Sequence, residues 1–139
     1  MTPTTSTTTR TETGPAFVGD GSPGGALATA NAVLARRGFA AVSSATYGPL
    51  DTLHVLIGRA PGGGERAFFF NERHFIGTDS PQTSARIVVV SHGDSEATLA
   101  YDVYAAGAPT PSGQRRVTFA LDMGQLSALG PLPSVSARR

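Results

Sequence analysis

The stretch that most constrains the fold is at residues 68–78, which read FFFNERHFIGT. An apolar run, a polar turn and a second apolar run predict a β-hairpin. Apolar side chains occupy consecutive positions in each arm, so they project from both faces of the hairpin. We therefore expect a central hairpin with both faces at least partly covered. Its register stays open, because a three-residue loop pairs Phe70 with His74 and a four-residue loop pairs Phe70 with Phe75.

One helix is predicted before the hairpin, at about residues 23–37. The Ser22-Pro23 pair suits a helix start, since the hydroxyl accepts an N–H and Pro needs none at the first position. Gly38 fits the left-handed position that ends a helix, and Phe39 can pack back onto the last turn. The apolar positions at helical spacing are Leu27, Ala30 and Leu34.

The rest of the chain predicts strands joined by short loops. No crossover helix separates them, so the sheet is expected to be antiparallel. The expected fold is α+β: one N-terminal helix packed on a curled antiparallel sheet, a meander of six to seven strands. One helix covers only part of one face, so the sheet must curl or a partner must cover the remainder. The strands are expected at 52–59, 66–70, 74–78, 86–91, 96–105, 116–122 and 125–129, with 39–44 either a short strand or irregular.

Both ends of the chain are expected to lie outside the folded unit. Residues 1–21 contain a Thr/Ser-rich tract that is too polar to form a core, so they are interpreted as a disordered tail or tether. Residues 22–133 form a single α+β domain in this interpretation. Residues 134–139 are expected to be a frayed C-terminal tail.

Composition excludes several classes of function. The 139 residues carry 11 cationic side chains, all of them Arg, against 10 acidic ones, for a net charge of +1. This balance gives no electrostatic reason to expect nucleic acid or an anionic membrane as a partner. Cys is absent, which excludes disulfides and thiolate metal sites. No apolar run is long enough to span a bilayer, and any export signal would have to lie outside this sequence.

No motif predicts catalysis, a metal site or a cofactor. The three histidines fall on different predicted elements without metal-ligand spacing. Most of the candidate acidic residues adjoin turn residues, where Asp accepts backbone hydrogen bonds. The triple glycine at 62–64 lacks the Lys-Ser/Thr pair and the helix of a phosphate loop. The histidines are His54, His74 and His92, and the acidic candidates are Asp79, Asp94, Asp102 and Asp122.

Aromatic residues offer the best candidates for a binding surface. Most of them are expected to pack in the core, and the alternative is an apolar pocket or groove under the helix. Tyr104 falls on the opposite strand face from Tyr101, which makes it a candidate for an exposed contact. The predicted ligand or partner contacts are Phe69, His74, Phe75 and Tyr104.

From residue 50 to residue 133 the order of motifs resembles the LppP/LprE family of bacterial lipoproteins. The matching features include FFFNERHFIGTDSP, a Thr-Leu-Ala-Tyr strand after an Asp-containing turn, APTPSG, RRVTFALDMGQL and LGPLP. The resemblance implies an anchored or secreted cell-envelope protein without established enzymatic activity. The family usually has a lipid-accepting Cys near the N-terminus and often Cys in the segment matching residues 46–50. Neither is present here.

The resulting hypothesis is a non-enzymatic, lipoprotein-like domain, extracellular or in the cell envelope. Its partner would be a small apolar ligand, an envelope component, another protein or a second copy in a homodimer. Nucleic acid is not expected, and membrane contact is expected only through an N-terminal anchor outside this sequence. The alternatives are a small enzyme with a pocket between helix and sheet, or a cytoplasmic or phage structural protein.

Overall fold

The structure is a computed structural model that describes residues 25–43 and 52–138. The predicted tail at 1–21, the Ser22-Pro23 helix start and residues 44–51 lie outside the described residues. The elements in chain order are α1 (Ala26–Arg36), β1 (Ala40–Ser43), β2 (Leu53–Arg59), β3 (Glu65–Asn71), β4 (His74–Thr78), β5 (Ile87–His92), β6 (Glu96–Val103), β7 (Gly113–Asp122), β8 (Gln125–Ala128) and α2 (Val135–Arg138).

The strands form two four-stranded antiparallel sheets, ordered β1-β2-β3-β4 and β5-β6-β7-β8. The antiparallel pairing confirms the prediction, but the expectation of one curled sheet of six to seven strands is wrong. The loop at residues 79–86 leads the chain from β4 to β5, and these two strands do not pair. The second sheet therefore covers the face that a curled single sheet was expected to close.

The main core lies between the two sheets. Phe69 is fully buried there, and its ring centroid lies 4.9 Å from that of Phe119 on the second sheet. Alternate residues of each strand point into this layer, as the period of two requires. The core side chains are Leu53, Val55, Ile57, Ala67, Phe69, Ile87, Ala97, Leu99, Tyr101, Val117 and Phe119.

A second core lies between α1 and the outer face of the first sheet. Phe68 and Phe70 pack there against Leu34 and neighbouring helix residues. Gly58 permits this close approach, because a Cβ at that position would lie 2.9 Å from Leu34 Cδ2. The central hairpin is therefore covered on both faces, as its consecutive apolar residues predicted.

Local backbone signals account for the end of α1. The Phe39 N–H donates to Leu34 O over 2.9 Å, and the Gly38 N–H donates to Ala35 O over 3.0 Å. Gly38 has a φ of 82°. This pair of bonds around a left-handed residue is the Schellman motif, so the predicted helix end is confirmed.

The hairpin register is the one with the longer loop. Phe70 pairs with Phe75 and Asn71 with His74, which leaves Glu72 and Arg73 at the centre of the turn. A bulge follows on β4, because Phe69 pairs with Gly77 and one residue is left over.

The C-terminal segment differs from the predicted frayed tail. Val135–Arg138 form the short helix α2, and the Arg138 side chain is only 3% exposed. Its guanidinium donates hydrogen bonds to Ser80 and Ser84 in the loop at residues 79–86. These residues are too far from Arg138 in the sequence for a local pattern to predict the contact. Within residues 25–43 and 52–138, no helix is long and apolar enough to cross a bilayer.

Candidate functional site

Three turns meet at one end of the sandwich. The Glu72 N–H donates to Thr52 O over 3.0 Å, and the Thr52 N–H donates to Asp94 O over 2.9 Å. The Leu121 N–H donates to Ser95 O over 2.8 Å, which brings the β7–β8 turn alongside. We call this end the turn surface; it comprises Thr52 and residues 71–74, 92–96 and 122–125.

Two residues of the turn surface have a strained backbone. Glu72 has a φ of 59° and Met123 a φ of 51°, and they are the two non-glycine residues with positive φ in the described part of the chain. Glu72 is the first central residue of its turn, and Met123 precedes Gly124, whose φ is 80°. Turns with these angles favour Gly or Asn, so each side chain costs about 1–2 kcal/mol.

Met123 is also the most exposed large apolar side chain that the structure describes. It is 96% exposed at the tip of the β7–β8 hairpin. A thioether side chain without packing partners does nothing for stability there, and its backbone conformation opposes folding. An exposed, flexible and apolar Met is typical of surfaces that bind other proteins.

Acidic groups dominate the charge of the turn surface. The exposed carboxylates outnumber the one arginine, Arg73, by four to one. A depression of about 320 Å³ lies beside the β5–β6 turn, lined by residues 91–98, which are mostly polar. Such a surface suits a polar or cationic partner better than a small apolar ligand. The four carboxylates are Glu72, Asp94, Glu96 and Asp122.

Comparison with known families identifies the chain. The sequence profile of the LppP/LprE lipoprotein family matches residues 45–124, which is more than half of the 139 residues. The chain belongs to the LppP/LprE lipoprotein family. No curated protein and no solved structure matches the chain.

The LppP/LprE match runs from before β2 to Gly124, so it contains all of the turn surface except Gln125. It includes neither α1 nor α2. The family name supports an association with the cell envelope, and the family is not a known enzyme family.

The four predicted contact residues of this LppP/LprE domain lie in different places. His74 is exposed on the turn surface, and Phe75 is half-buried next to it, with the Arg37 guanidinium 4.4 Å from its ring centroid. Phe69 is 0% exposed in the inter-sheet core. Tyr104 is half-buried beyond β6, where its N–H donates to Ala137 O over 2.6 Å. The structure therefore brings together only His74 and Phe75.

The histidines do not converge. His54 is buried on β2, His74 lies on the β3–β4 turn, and His92 ends β5. Across residues 25–43 and 52–138, no group of three His, Cys, Asp or Glu side chains is arranged to hold a metal ion.

A buried polar cluster joins the two sheets away from the turn surface. The Tyr101 hydroxyl donates to Asp79 Oδ2 over 2.7 Å, and the Ala67 N–H donates to Asp79 Oδ1 over 3.0 Å. Burial raises the pKa of Asp79, against the opposing effects of these hydrogen bonds and of the Arg138 charge. Burial also raises the pKa of Tyr101, and the neighbouring Asp79 carboxylate adds to that shift.

Arg138 connects α2 to this cluster. Its guanidinium donates to Ser84 Oγ over 2.7 Å, to Ser80 Oγ over 2.9 Å and to Pro133 O over 3.0 Å. Tyr101 and Arg138 are at most 3% exposed, whereas Asp79 is partly exposed. Structural hydrogen-bond networks also perturb pKa values, and the hydrogen bonds of Asp79 connect residues of both sheets, which supports a structural role for the cluster.

Met123 and Arg138 were not among the predicted contacts. Asp122-Met123-Gly124 predicts a turn, and Met-Gly in place of the favoured Asn-Gly is the sequence signal that marks Met123 there. Arg138 carried no local signal, because its serine partners are 54 and 58 residues away.

Proposed function

We propose that this LppP/LprE domain is a non-enzymatic module of the cell envelope that binds a protein partner through the turn surface. The observation that carries the proposal is Met123, which is 96% exposed and has a φ of 51°. A strained and exposed apolar residue reduces stability, so its presence is best explained by a contact outside the domain.

Glu72 supports the same conclusion independently. It occupies a position that favours Gly, and it lies on a different hairpin of the same surface. Binding residues are often located on turns that rigid strands hold in place. Two unfavourable backbone positions in turns at one end of the sandwich fit such a binding surface.

The interior supports a protein partner over a small apolar ligand. Phe69, Tyr101 and Phe119 fill the space between the sheets. Phe68 and Phe70 fill the space under α1. The depression at the turn surface has a polar lining, so none of these places offers the apolar walls that such a ligand requires.

Site-specific photocrosslinking tests the proposal. Met123→p-benzoylphenylalanine in the full chain, irradiated with envelope extract of the source organism, is expected to give one dominant protein adduct. The partner, once identified and purified, is expected to bind Met123→Ser at least tenfold more weakly, because the central apolar contact is lost. Position 135 is the matched control, because Val135 is an exposed apolar side chain outside the turn surface. Val135→p-benzoylphenylalanine controls the crosslinking, and Val135→Ser controls the binding measurement.

Three outcomes would contradict the proposal. The first is the same set of adducts from positions 123 and 135, which would indicate non-specific capture. The second is equal weakening of binding by both serine variants. The third is a dominant adduct of twice the mass of the chain, which would identify a second copy as the occupant.

A further inference from the structure

The two sheets differ in what covers their outer faces. Helix α1 packs on the first sheet. Among the described elements, the short helix α2 contacts the second sheet at β6. Small and β-branched side chains form much of the outer face of the second sheet, including the row in which Val88 pairs with Ala100 and Ala100 pairs with Arg116. Ala100 is fully buried and Val88 is partly exposed, so the face is short of bulky groups and partly accessible.

Two exposed arginines flank β6 on this face. Arg116 is opposite Ala100 on β6. The Arg86 carbonyl accepts the Asp102 N–H over 3.3 Å, so the β5–β6 ladder extends by one residue to Arg86. Alternation puts Arg86 and Arg116 on the outer face, whereas Arg115, opposite the core residue Tyr101, lies on the inter-sheet side. We call Arg86 and Arg116 the arginine patch.

The arginine patch carries more positive than negative charge. Its two side chains form no ion pair with any residue that the structure describes. One carboxylate, Asp102, lies between them on β6, but it is only 8% exposed and accepts a hydrogen bond from Gln114 Nε2 over 3.0 Å. The patch therefore presents positive charge to the solvent.

We propose that the arginine patch docks the domain onto the phosphate groups of anionic phospholipids. Guanidinium groups bind phosphate oxygens through paired hydrogen bonds, and a face of small side chains lets a planar surface approach. Membership of a lipoprotein family supports proximity to a bilayer. Anchoring of a protein at a bilayer makes a weak electrostatic contact with the lipids effective, because the local lipid concentration is high.

The distribution of acidic groups defines the orientation of the docked domain. The four exposed carboxylates of the turn surface lie at the opposite end of the strands. Arg116 and Asp122 are six residues apart on β7, which corresponds to about 20 Å. An anionic bilayer attracts the arginine patch and repels the turn surface, so the turn surface faces away from the membrane. This inference does not depend on the proposed protein partner.

Vesicle binding by the full chain tests the proposal. At low ionic strength the chain is expected to sediment with phosphatidylglycerol vesicles and not with phosphatidylcholine vesicles. The double substitution R86Q/R116Q is expected to weaken binding about 25-fold, since each arginine near such a surface contributes about fivefold. The matched control is R36Q/R37Q, which removes the same charge from the exposed end of α1. Thermal unfolding of both variants checks that they are folded.

The proposal is overturned if both double variants lose the same affinity, because net charge rather than the patch would then govern binding. Absence of binding to phosphatidylglycerol vesicles also overturns it. So does self-association without vesicles that R86Q/R116Q abolishes, which would identify the acidic end of a second copy as the occupant. Competition by free inorganic phosphate at millimolar concentration would show that phosphate in solution, rather than a lipid surface, is bound.

Discussion

Replacement of Arg138 by Met is expected to destabilise the domain strongly, although Arg138 is the second-last residue of the chain. Met retains much of the aliphatic length and removes the guanidinium. The substitution leaves the buried Ser84 hydroxyl and the Pro133 carbonyl without their donor, whereas Ser80 Oγ keeps its hydrogen bond from the Gln82 N–H. The expected loss is about 3–6 kcal/mol of unfolding free energy, since each of the two hydrogen bonds from the charged group contributes about 1.5–3 kcal/mol.

The pH dependence of this loss distinguishes the charge from the hydrogen bonds. Burial raises the pKa of Asp79 above 3.8, while the Arg138 charge lowers it. A carboxyl group with a raised folded-state pKa favours folding below its unfolded value and loses that contribution as the pH rises through the folded pKa. Without Arg138, the pKa of Asp79 rises further, so the loss of stability on going from pH 3.5 to pH 7 is larger than in the wild type.

Urea denaturation at pH 3.5 and at pH 7 measures both effects. At pH 3.5 the Asp79 carboxyl carries less negative charge than at pH 7, so the loss there comes mainly from the hydrogen bonds. At pH 7 it also lacks the cation that offsets the buried carboxylate. Arg36→Met, at an exposed helix position, is the control and is expected to cost less than about 0.5 kcal/mol. A cost of Arg138→Met below 1 kcal/mol, or one that is equal at the two pH values, would refute the role assigned to the cluster.

The remaining predictions concern glycine contacts and turn strain, and thermal unfolding measures them. Gly58→Ala is expected to cost about 1–3 kcal/mol, because the new Cβ would lie 2.9 Å from Leu34 Cδ2. Gly113→Ala, also on a strand but with nothing within 4 Å, is its control and should change stability by less than about 0.5 kcal/mol. Glu72→Gly and Met123→Asn are each expected to stabilise the domain by about 1 kcal/mol, because they suit the positive φ. Loss of stability in both turn variants would contradict the strain argument.

Local patterns predicted the elements of the fold well. The alternation of apolar and polar residues and the glycine after α1 are short-range signals, and the structure places strands and a Schellman motif there. The run at 68–70 predicted a doubly covered strand because consecutive apolar residues must point to opposite faces. The packing of α1 on one face of this strand was predicted, but the packing of a separate second sheet on the other face was not.

The division into two sheets depends on information that periodicity lacks. Whether β5 pairs with β4 or starts a new sheet is decided by contacts distant in sequence. Glu65 forms one of them, since its Oε1 accepts the Ile87 N–H over 2.8 Å and its Oε2 accepts the Arg59 guanidinium. The hydrogen bond between the buried Glu65 carboxylate on β3 and the backbone of β5 joins residues that are 22 positions apart, so sequence periodicity does not predict it.

The candidate site was partly accessible from sequence. His74 was among the predicted contacts, and it is exposed on the turn surface. Met123 was not, because its exposure and its φ follow from the type of turn and not from the residue itself. Tyr104 was selected by alternation, but the chain leaves β6 at Val103, so the alternation no longer determines its direction.

Net charge does not report where the charges lie after folding. A value of +1 gives no reason to expect an anionic surface as a partner, and this expectation stays untested, but folding separates the charges that the value sums. The antiparallel strands carry the arginine patch toward one end, and their turns carry four carboxylates at the other. Since electrostatic attraction is screened beyond about 10 Å in 0.1 M salt, each end acts on its own neighbourhood. The two proposed contacts, with an anionic bilayer at one end and a protein surface at the other, are therefore expected to weaken independently when either set of charges is removed.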